Sequence, residues 1–368
     1  MNIFEILGPV MVGPSSSHTA GAVRIGYISR QLLGEPVKDA TLGLYGSFWL
    51  TGSGHGTPLA LIAGLCGMHP DDARIPRAFA VAKARGMSFR LEQAKLKNAH
   101  PNSVQLHLVG ENGKVLDQMD QMAKAMEDSI TQYDPTAVTT GKMGGQNGAR
   151  LAEYNQKGDT LLGDYLSAVI AAAVQVAESN ACMKRIVAAP TAGSCGVIPA
   201  VLITYQKQQG LPRQELLRAL LVSAGIGSVI AENASISGAQ GGCQAEIGSA
   251  AAMAAGGLVY LAGGDNDAIA QGAAMALKNM LGLVCDPVAG LVETPCIKRN
   301  AAGAANAVVA AQMALAGIQS VIPPDEIIDA MYEIGCQLPA CLRETSQAGL
   351  ATTPTGQKIA EKLGQNQF

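Results

Sequence analysis

Three cysteines carry the strongest chemical signal in the chain. Cys243, Cys285 and Cys296 lie in the segments GGCQAE, CDPVAG and TPCIKRN, each where the backbone can turn sharply. Cys243 follows two glycines, Cys285 precedes Asp286 and Pro287, and Cys296 follows Pro295. Their separations of 42 and 11 positions match no zinc-finger or zinc-ribbon spacing. Thiolates on tight turns can converge on one inorganic centre, and three would leave one position of a four-metal cluster without a protein ligand. An open metal position can bind and activate a substrate oxygen. Two other readings stay open: three thiolates and a histidine around one zinc ion, or buried cysteines that only fill a core.

Histidines in Gly- and Ser-rich loops form the second signal. GPSSSHT at residues 13–19 heads a helical pattern, so Ser15, Ser16, Ser17 and Thr19 surround His18 where free N–H groups can hold a carboxylate or phosphate. YGSFWLTGSGHGT at 45–57 reads as a flexible loop with His55 between glycines, and NAHPNS at 98–103 is a turn presenting His100 and Asn102. Two more small-residue loops, APTAGSCG with Thr191, Ala192, Gly193 and Ser194, and ENASISG with Asn233, precede helices and suit a small anion. Helix capping accounts for both, and without other evidence it is the reading that stands. No lysine sits in a Ser/Gly-rich loop of the Schiff-base kind, so an amino-acid lyase built on this chain needs an electrophile other than pyridoxal phosphate.

The elements that must position these groups fall into two parts. The pattern predicts an α+β protein in which residues 1–112 form a small α/β domain and residues 113–368 an all-helical catalytic domain. Strands are expected at 40–45, 87–91 and 103–109, the last closed by a turn at 111–113, and helices at 19–33 and 58–66. Beyond residue 118 helical segments follow one another, at 118–132, 161–179, 197–208, 213–233, 246–261, 265–281, 301–317 and 324–333, with a connecting stretch at 132–148. Hydrophobic residues make up 48% and aromatics only 4%, with 43 glycines, so the core is built from small side chains and close helix packing. The charge-free stretches 247–264 and 301–322 are mostly Ala and Gly, which favours buried helices over membrane spans. A net charge of −3 without a basic run excludes nucleic acid and anionic membranes as expected partners. Eight cysteines and no basic, apolar leader point to a reducing, cytoplasmic setting. A homodimer is expected from the small-residue helical core.

Together the motifs resemble those of the iron–sulfur-dependent L-serine dehydratases (L-serine ammonia-lyases). GPSSSHT, YGSFWLTGSGHGT and NAHPNS are similar to that family's β domain, and TAVTTGKMGG, APTAGSCGVIPAV, ENASISGAQGGCQAEIGSA and CDPVAGLVETPCIKRNAAGAANA to its α domain, in β-then-α order. The resemblance implies a [4Fe–4S] cluster held by Cys243, Cys285 and Cys296 and acting as a Lewis acid. It places His18, His55, His100 and Asn102 at active-site positions. The implied reaction removes water from L-serine to give pyruvate and ammonia, with His55 as base and His18 as the other candidate, since an imidazole titrates near neutrality. Ser15–Thr19, His100, Asn102 and the 191–194 loop would neutralise the substrate carboxylate. Threonine or cysteine as substrate, or a non-enzymatic amino-acid-binding role, are the alternatives. The β part is short and leaves no room for a separate regulatory domain. The end GQNQF lacks the terminal cysteine that caps the cluster in some members, while Cys195, Cys336 and Cys341 are expected to be structural.

Overall fold

The computed structural model describes residues 11–96, 99–111 and 114–364; Asn98, the turn residues Asn112 and Gly113 and the last four residues lie outside them. The chain divides into two units, Met1–Gln118 and Met119–Phe368. The division falls inside the helix Lys114–Thr131, just after the expected boundary at 112/113.

In the first unit, alternating apolar residues form a three-stranded sheet of order β2-β1-β3, with β1 Val37–Leu44, β2 Ser88–Gln93 and β3 Val104–Gly110. β1 runs parallel to β2 and antiparallel to β3. The central strand is almost wholly buried from Ala40 to Leu44, whereas the edge strands keep exposed residues. Two helices, α1 (Gly21–Leu33) and α2 (Thr57–Leu65), lie against each other, and Val23, Leu42, Leu44, Phe48, Leu61 and Ile62 fill the core. A third helix, α3 (Ala78–Ala84), was not expected; it has seven residues, all apolar but Lys83, so periodicity alone does not mark it.

The regular elements among the second unit's described residues are helices, apart from an isolated bridge between Cys285 and Arg343. Its helices are α4 (Lys114–Thr131), which begins in the first unit, α5 (Asn147–Asn155), α6 (Gly163–Ala181), α7 (Val197–Gln209), α8 (Arg213–Asn233), α9 (Ser249–Leu261), α10 (Asn266–Lys278), α11 (Cys296–Leu315), α12 (Pro324–Gln337) and α13 (Pro354–Gly364). α9 is the axis: all of its residues but Tyr260 are buried, and α7, α8, α10 and α11 pack around it. Eight of its thirteen residues are Ser, Ala or Gly, which lets four neighbours approach one helix. Of the stretches weighed as membrane spans, 247–264 is therefore mostly this core helix. Among the described residues one helix, Arg213–Asn233, is long and apolar enough to cross a membrane. It packs on α9, and Arg213 at its start pairs with Asp120 and Glu127, each at 2.7 Å.

Two buried carboxylates organise the stretch between α4 and α6. Glu178 of α6 accepts from Tyr133 Oη at 2.6 Å, from the N–H groups of Gly145, Asn147 and Gly148 at 2.9–3.1 Å and from Asn147 Nδ2 at 2.8 Å. Glu293 accepts from Thr139 Oγ1 and the Gly141 N–H, both at 2.6 Å, and from the Met143 and Gly144 N–H groups at 3.0 and 3.2 Å. Glu293 lies three residues before Cys296, so the second set ties the TTGKMGG loop to a cysteine segment. Glu178→Ala should destabilise this unit by about 3 kcal/mol, because several buried donors lose a charged acceptor. Urea unfolding followed by circular dichroism measures it, and a loss below about 0.5 kcal/mol would contradict the assignment.

Candidate active site and metal centre

The antiparallel pairing of β1 with β3 sets Leu44 opposite Val104, so residues just after β1 face residues just before β3. Gly46 at the join has φ +53°, and a Cβ there would meet the Pro101 Cα at 2.7 Å, so only glycine allows the approach. Across it Tyr45 N–H donates to Ser103 O (3.1 Å) and Ser47 N–H to Pro101 O (2.8 Å). The expected flexible loop at 45–57 is instead two helical turns, Ser47–Leu50 and Gly52–His55, because the Phe48 side chain is buried in the core and holds the first turn down.

This framework gathers the predicted polar residues of the first unit. Ser15 caps the helical turn Ser16–Ala20, accepting from the His18 N–H at 3.1 Å. Ser17 Oγ lies 2.9 Å from His18 Nδ1, His18 Nε2 lies 2.8 Å from Ser47 Oγ, and Ser47 Oγ donates to Asn102 Oδ1 at 2.5 Å. Thr19 Oγ1 donates to the His55 carbonyl at 2.8 Å, and the His18 and His55 rings meet edge-on at 4.8 Å. His18 is half-buried; loss of hydration, and then the nearby His55, hold its pKa below the ordinary value. His100 is exposed and accepts from the Asn102 N–H at 3.1 Å, which shapes the turn that carries Asn102. Ser16 is exposed on the same helical turn.

In the second unit the three cysteine segments meet. Gly242, with φ +75°, lets the backbone before Cys243 press against Leu283, where a Cβ would come within 2.9 Å of the Leu283 oxygen. The Gln244 N–H donates to Leu283 O and the Gly282 N–H to Gln244 Oε1, both at 2.9 Å. Cys285 is held from the other side by its N–H to Leu342 O (2.9 Å) and by the Glu344 N–H to its own carbonyl (2.8 Å). Ligand atoms of Cys243, Glu246 and Cys285 lie within 4.8 Å of one another. Cys296 opens α11 behind a cis Thr294–Pro295 bond, near enough for its thiol and that of Cys243 to interact electrostatically.

One arginine touches all three segments. Arg299, one turn into α11, donates through Nη1 to Cys243 Sγ at 3.4 Å and to Val284 O at 2.8 Å, and through Nη2 to the buried Asp286 at 3.0 Å. A hydrogen bond from the Cys285 thiol, and then Arg299, draw the Cys243 pKa down against burial. The same bond and burial push Cys285 up, and burial pushes Cys296 up to about 12. Burial also raises Glu246, opposed by a hydrogen bond from Thr191. Thr191 and Ser194 cap each other reciprocally, and Gly193 leaves room for the Glu246 carboxyl, 3.2 Å from where its Cβ would be. The 191–194 loop is thus a helix cap placed over Glu246, with Ala192 inside its single turn.

The donor set fits a thiolate-bound cluster: soft sulfur ligands, close together, with a guanidinium at one sulfur to balance their charge. It does not fit a Cys₃His zinc site built within this unit, since all five histidines lie at or before residue 107. Asn233 is exposed at the end of α8, with its amide donating to Val229 O at 2.8 Å. Cys195 is buried among helices and Cys336 is exposed. Sequence reasoning missed Glu246, Asp286, Arg299, Asn300, Ser47 and Thr51. Helical spacing could have found some, because Arg299 and Asn300 fall three and four positions after Cys296, on its side of the helix.

Comparison with known proteins agrees with this layout. The profile of the serine dehydratase alpha chain matches residues 57–351, and that of the beta chain matches residues 2–85. The chain belongs to the serine dehydratase family. It is 49% identical over 250 residues to a probable L-serine dehydratase alpha chain of Bacillus subtilis, covering 68% of this chain and 83% of that one. To the alpha chain of L-serine dehydratase of Peptoniphilus asaccharolyticus it is 43% identical, covering 73% and 89%. L-serine dehydratase 2 of Escherichia coli is 32% identical across 95% of this chain and 98% of its own. That alignment runs over 451 positions against a chain of 368, so the relative carries roughly a hundred residues that this member lacks. Family membership brings lyase chemistry with it.

Asn300 links the 193–196 stretch to the start of α11, accepting from the Gly196 N–H at 2.9 Å and donating to Gly193 O and Cys296 O at 2.8 and 3.0 Å. Asn300→Ala should lower the stability of the helical unit by about 2 kcal/mol, since three buried partners lose their bonds. An unchanged urea midpoint would contradict this.

Proposed function

We propose that the chain is an L-serine ammonia-lyase, converting L-serine to pyruvate and ammonia at a [4Fe–4S] cluster held by Cys243, Cys285 and Cys296. The gathering of three cysteine segments around Arg299, in a member of this family, is the observation that supports it most. When bound, the cluster supplies a Lewis acid for the β-hydroxyl, which makes a poor leaving group a good one. Loading it requires Cys285 and Cys296 to give up protons that burial otherwise retains, and Arg299 offsets part of the resulting negative charge.

The remaining work belongs to side chains. His55 takes the α-proton, and the electron pair of that C–H bond forms the double bond as the β-hydroxyl leaves. The enamine then gains a proton at carbon, and water releases ammonia. The serine-rich cap at residues 15–19, with Asn102, supplies donors of the kind that hold a carboxylate and lower the barrier to removing the α-proton. Glu246, kept protonated to higher pH by burial, would hand a proton to the departing oxygen.

Protein purified without air should be brown, contain iron and acid-labile sulfide, and release pyruvate from L-serine. Serine in place of any one of the three cysteines should abolish the colour and lower the rate at least about 100-fold. Colourless, iron-free protein with full activity would refute the cluster, and release of a keto acid only from L-threonine or L-cysteine would reassign the substrate. His55→Ala should slow turnover about 100-fold or more at unchanged iron content, the usual span for a lost general base. Full retention of rate would remove His55 from that role.

A further inference from the structure

Two hydroxyl groups beside the histidines each have one proton, and the structure commits both protons elsewhere. Ser47 Oγ donates to Asn102 Oδ1 at 2.5 Å, so at 2.8 Å from His18 Nε2 it can only accept. His18 therefore carries its proton on Nε2, and its lone pair is on Nδ1, facing the Ser17 hydroxyl at 2.9 Å. Thr51 Oγ1 donates to the Ser47 carbonyl at 2.8 Å, so at 3.1 Å from His55 Nδ1 it too can only accept. His55 therefore carries its proton on Nδ1 and its lone pair on Nε2. We propose that Ser47 and Thr51 are positioning residues that lock His18 and His55 in opposite tautomers, so that a bare lone pair is presented at Nε2 of His55 while Nε2 of His18 is a fixed donor.

The assignment grows from backbone already described. Ser47 and Thr51 lie four apart on consecutive helical turns, one turn beyond β1, and Ser47 contributes both groups involved: its side chain orients His18, and its carbonyl takes the Thr51 proton. The Thr19 hydroxyl fixes the His55 backbone by donating to its carbonyl, so the ring is oriented from both sides. His55 is thereby set in the less common tautomer of free imidazole, the one that exposes the outer nitrogen as a base. His18 cannot act as a base at its outer nitrogen, and any proton reaching its Nδ1 passes beside Ser17. When His55 accepts a proton at Nε2 it becomes an imidazolium whose Nδ1 proton is still held by Thr51, so no rearrangement accompanies the transfer.

The mechanistic consequence rests on the reading of His55 as base, but the tautomers are observable without turnover. In intact protein labelled with ¹⁵N-histidine, at about pH 8 where imidazoles are neutral, long-range ¹H–¹⁵N correlations distinguish protonated from bare ring nitrogens; His18→Gln and His55→Gln assign the two rings. Expected are a bare Nε2 on His55 and a bare Nδ1 on His18. The same tautomer in both rings, or averaged nitrogens in either, would overturn the proposal. Thr51→Val, which removes the acceptor from an exposed position, should release the His55 pattern, and Thr51→Ser should restore it. If the Thr51→Val pattern matches the parent protein, Thr51 does not lock the ring and the proposal fails. With L-serine, Thr51→Val should lower kcat on the order of 10- to 100-fold with KM little changed, recovered in Thr51→Ser. A released tautomer with an unchanged rate would leave the lock standing and discard His55 as the base.

Discussion

A single guanidinium holds the three cysteine segments together. Arg299 leaves the helix that Cys296 begins, meets the sulfur of Cys243, and reaches the backbone before Cys285 and the carboxylate after it. A half-buried arginine needs acceptors for the donors it turns inward, and here they are one sulfur, one carbonyl and one buried aspartate. Satisfying it therefore forces three segments that are distant in sequence into one place. Asp286 is in turn anchored by the Leu350 N–H at 2.8 Å, so the constraint reaches the chain that follows α12.

Around that contact the fold supplies rigidity through small residues. α9 is buried almost all round because Ala and Gly let four helices close on it, and Cys243 sits on the turn leading into it. Loops that would otherwise be free are fixed by buried carboxylates and amides: Glu178 and Glu293 hold the 139–148 stretch, Asn300 the 193–196 stretch. Each carboxylate collects several N–H groups, and Asn300 one N–H and two carbonyls, which meets the general requirement for burying irregular backbone. The first unit reaches similar precision differently. Its sheet register aligns two loop ends, and hydroxyls with one proton each decide what the histidines can donate.

Much of this was legible before any coordinates. The strands and most of the long helices fall where periodicity placed them, since a segment with one apolar face behaves the same way in many contexts. Arg213–Asn233 even keeps its bounds, because Pro212 before it stops the chain from extending the helix. Short elements were not legible. α3 and α5 draw their stability from the neighbours they pack against, which local sequence does not contain. The 45–57 segment reads as loop by its glycines, yet Phe48 in the core winds it into helical turns. Asn233 looked like a ligand from the company it keeps in sequence, whereas its amide closes back onto its own helix.

The sequence by itself determined which chemical groups are present, the order of an α/β part and a helical part, and the family, because residue types and their periodicity are local properties. It also contained Arg299 and Asn300 at helical distance from Cys296, a signal open to reading. Only the tertiary structure decided that Glu246 joins the cysteines, that one arginine spans all three segments, and that Ser47 stands between His18 and Asn102. Those facts depend on strand register and on how closely backbones approach at Gly46 and Gly242, and such distances arise from packing across long separations in the chain.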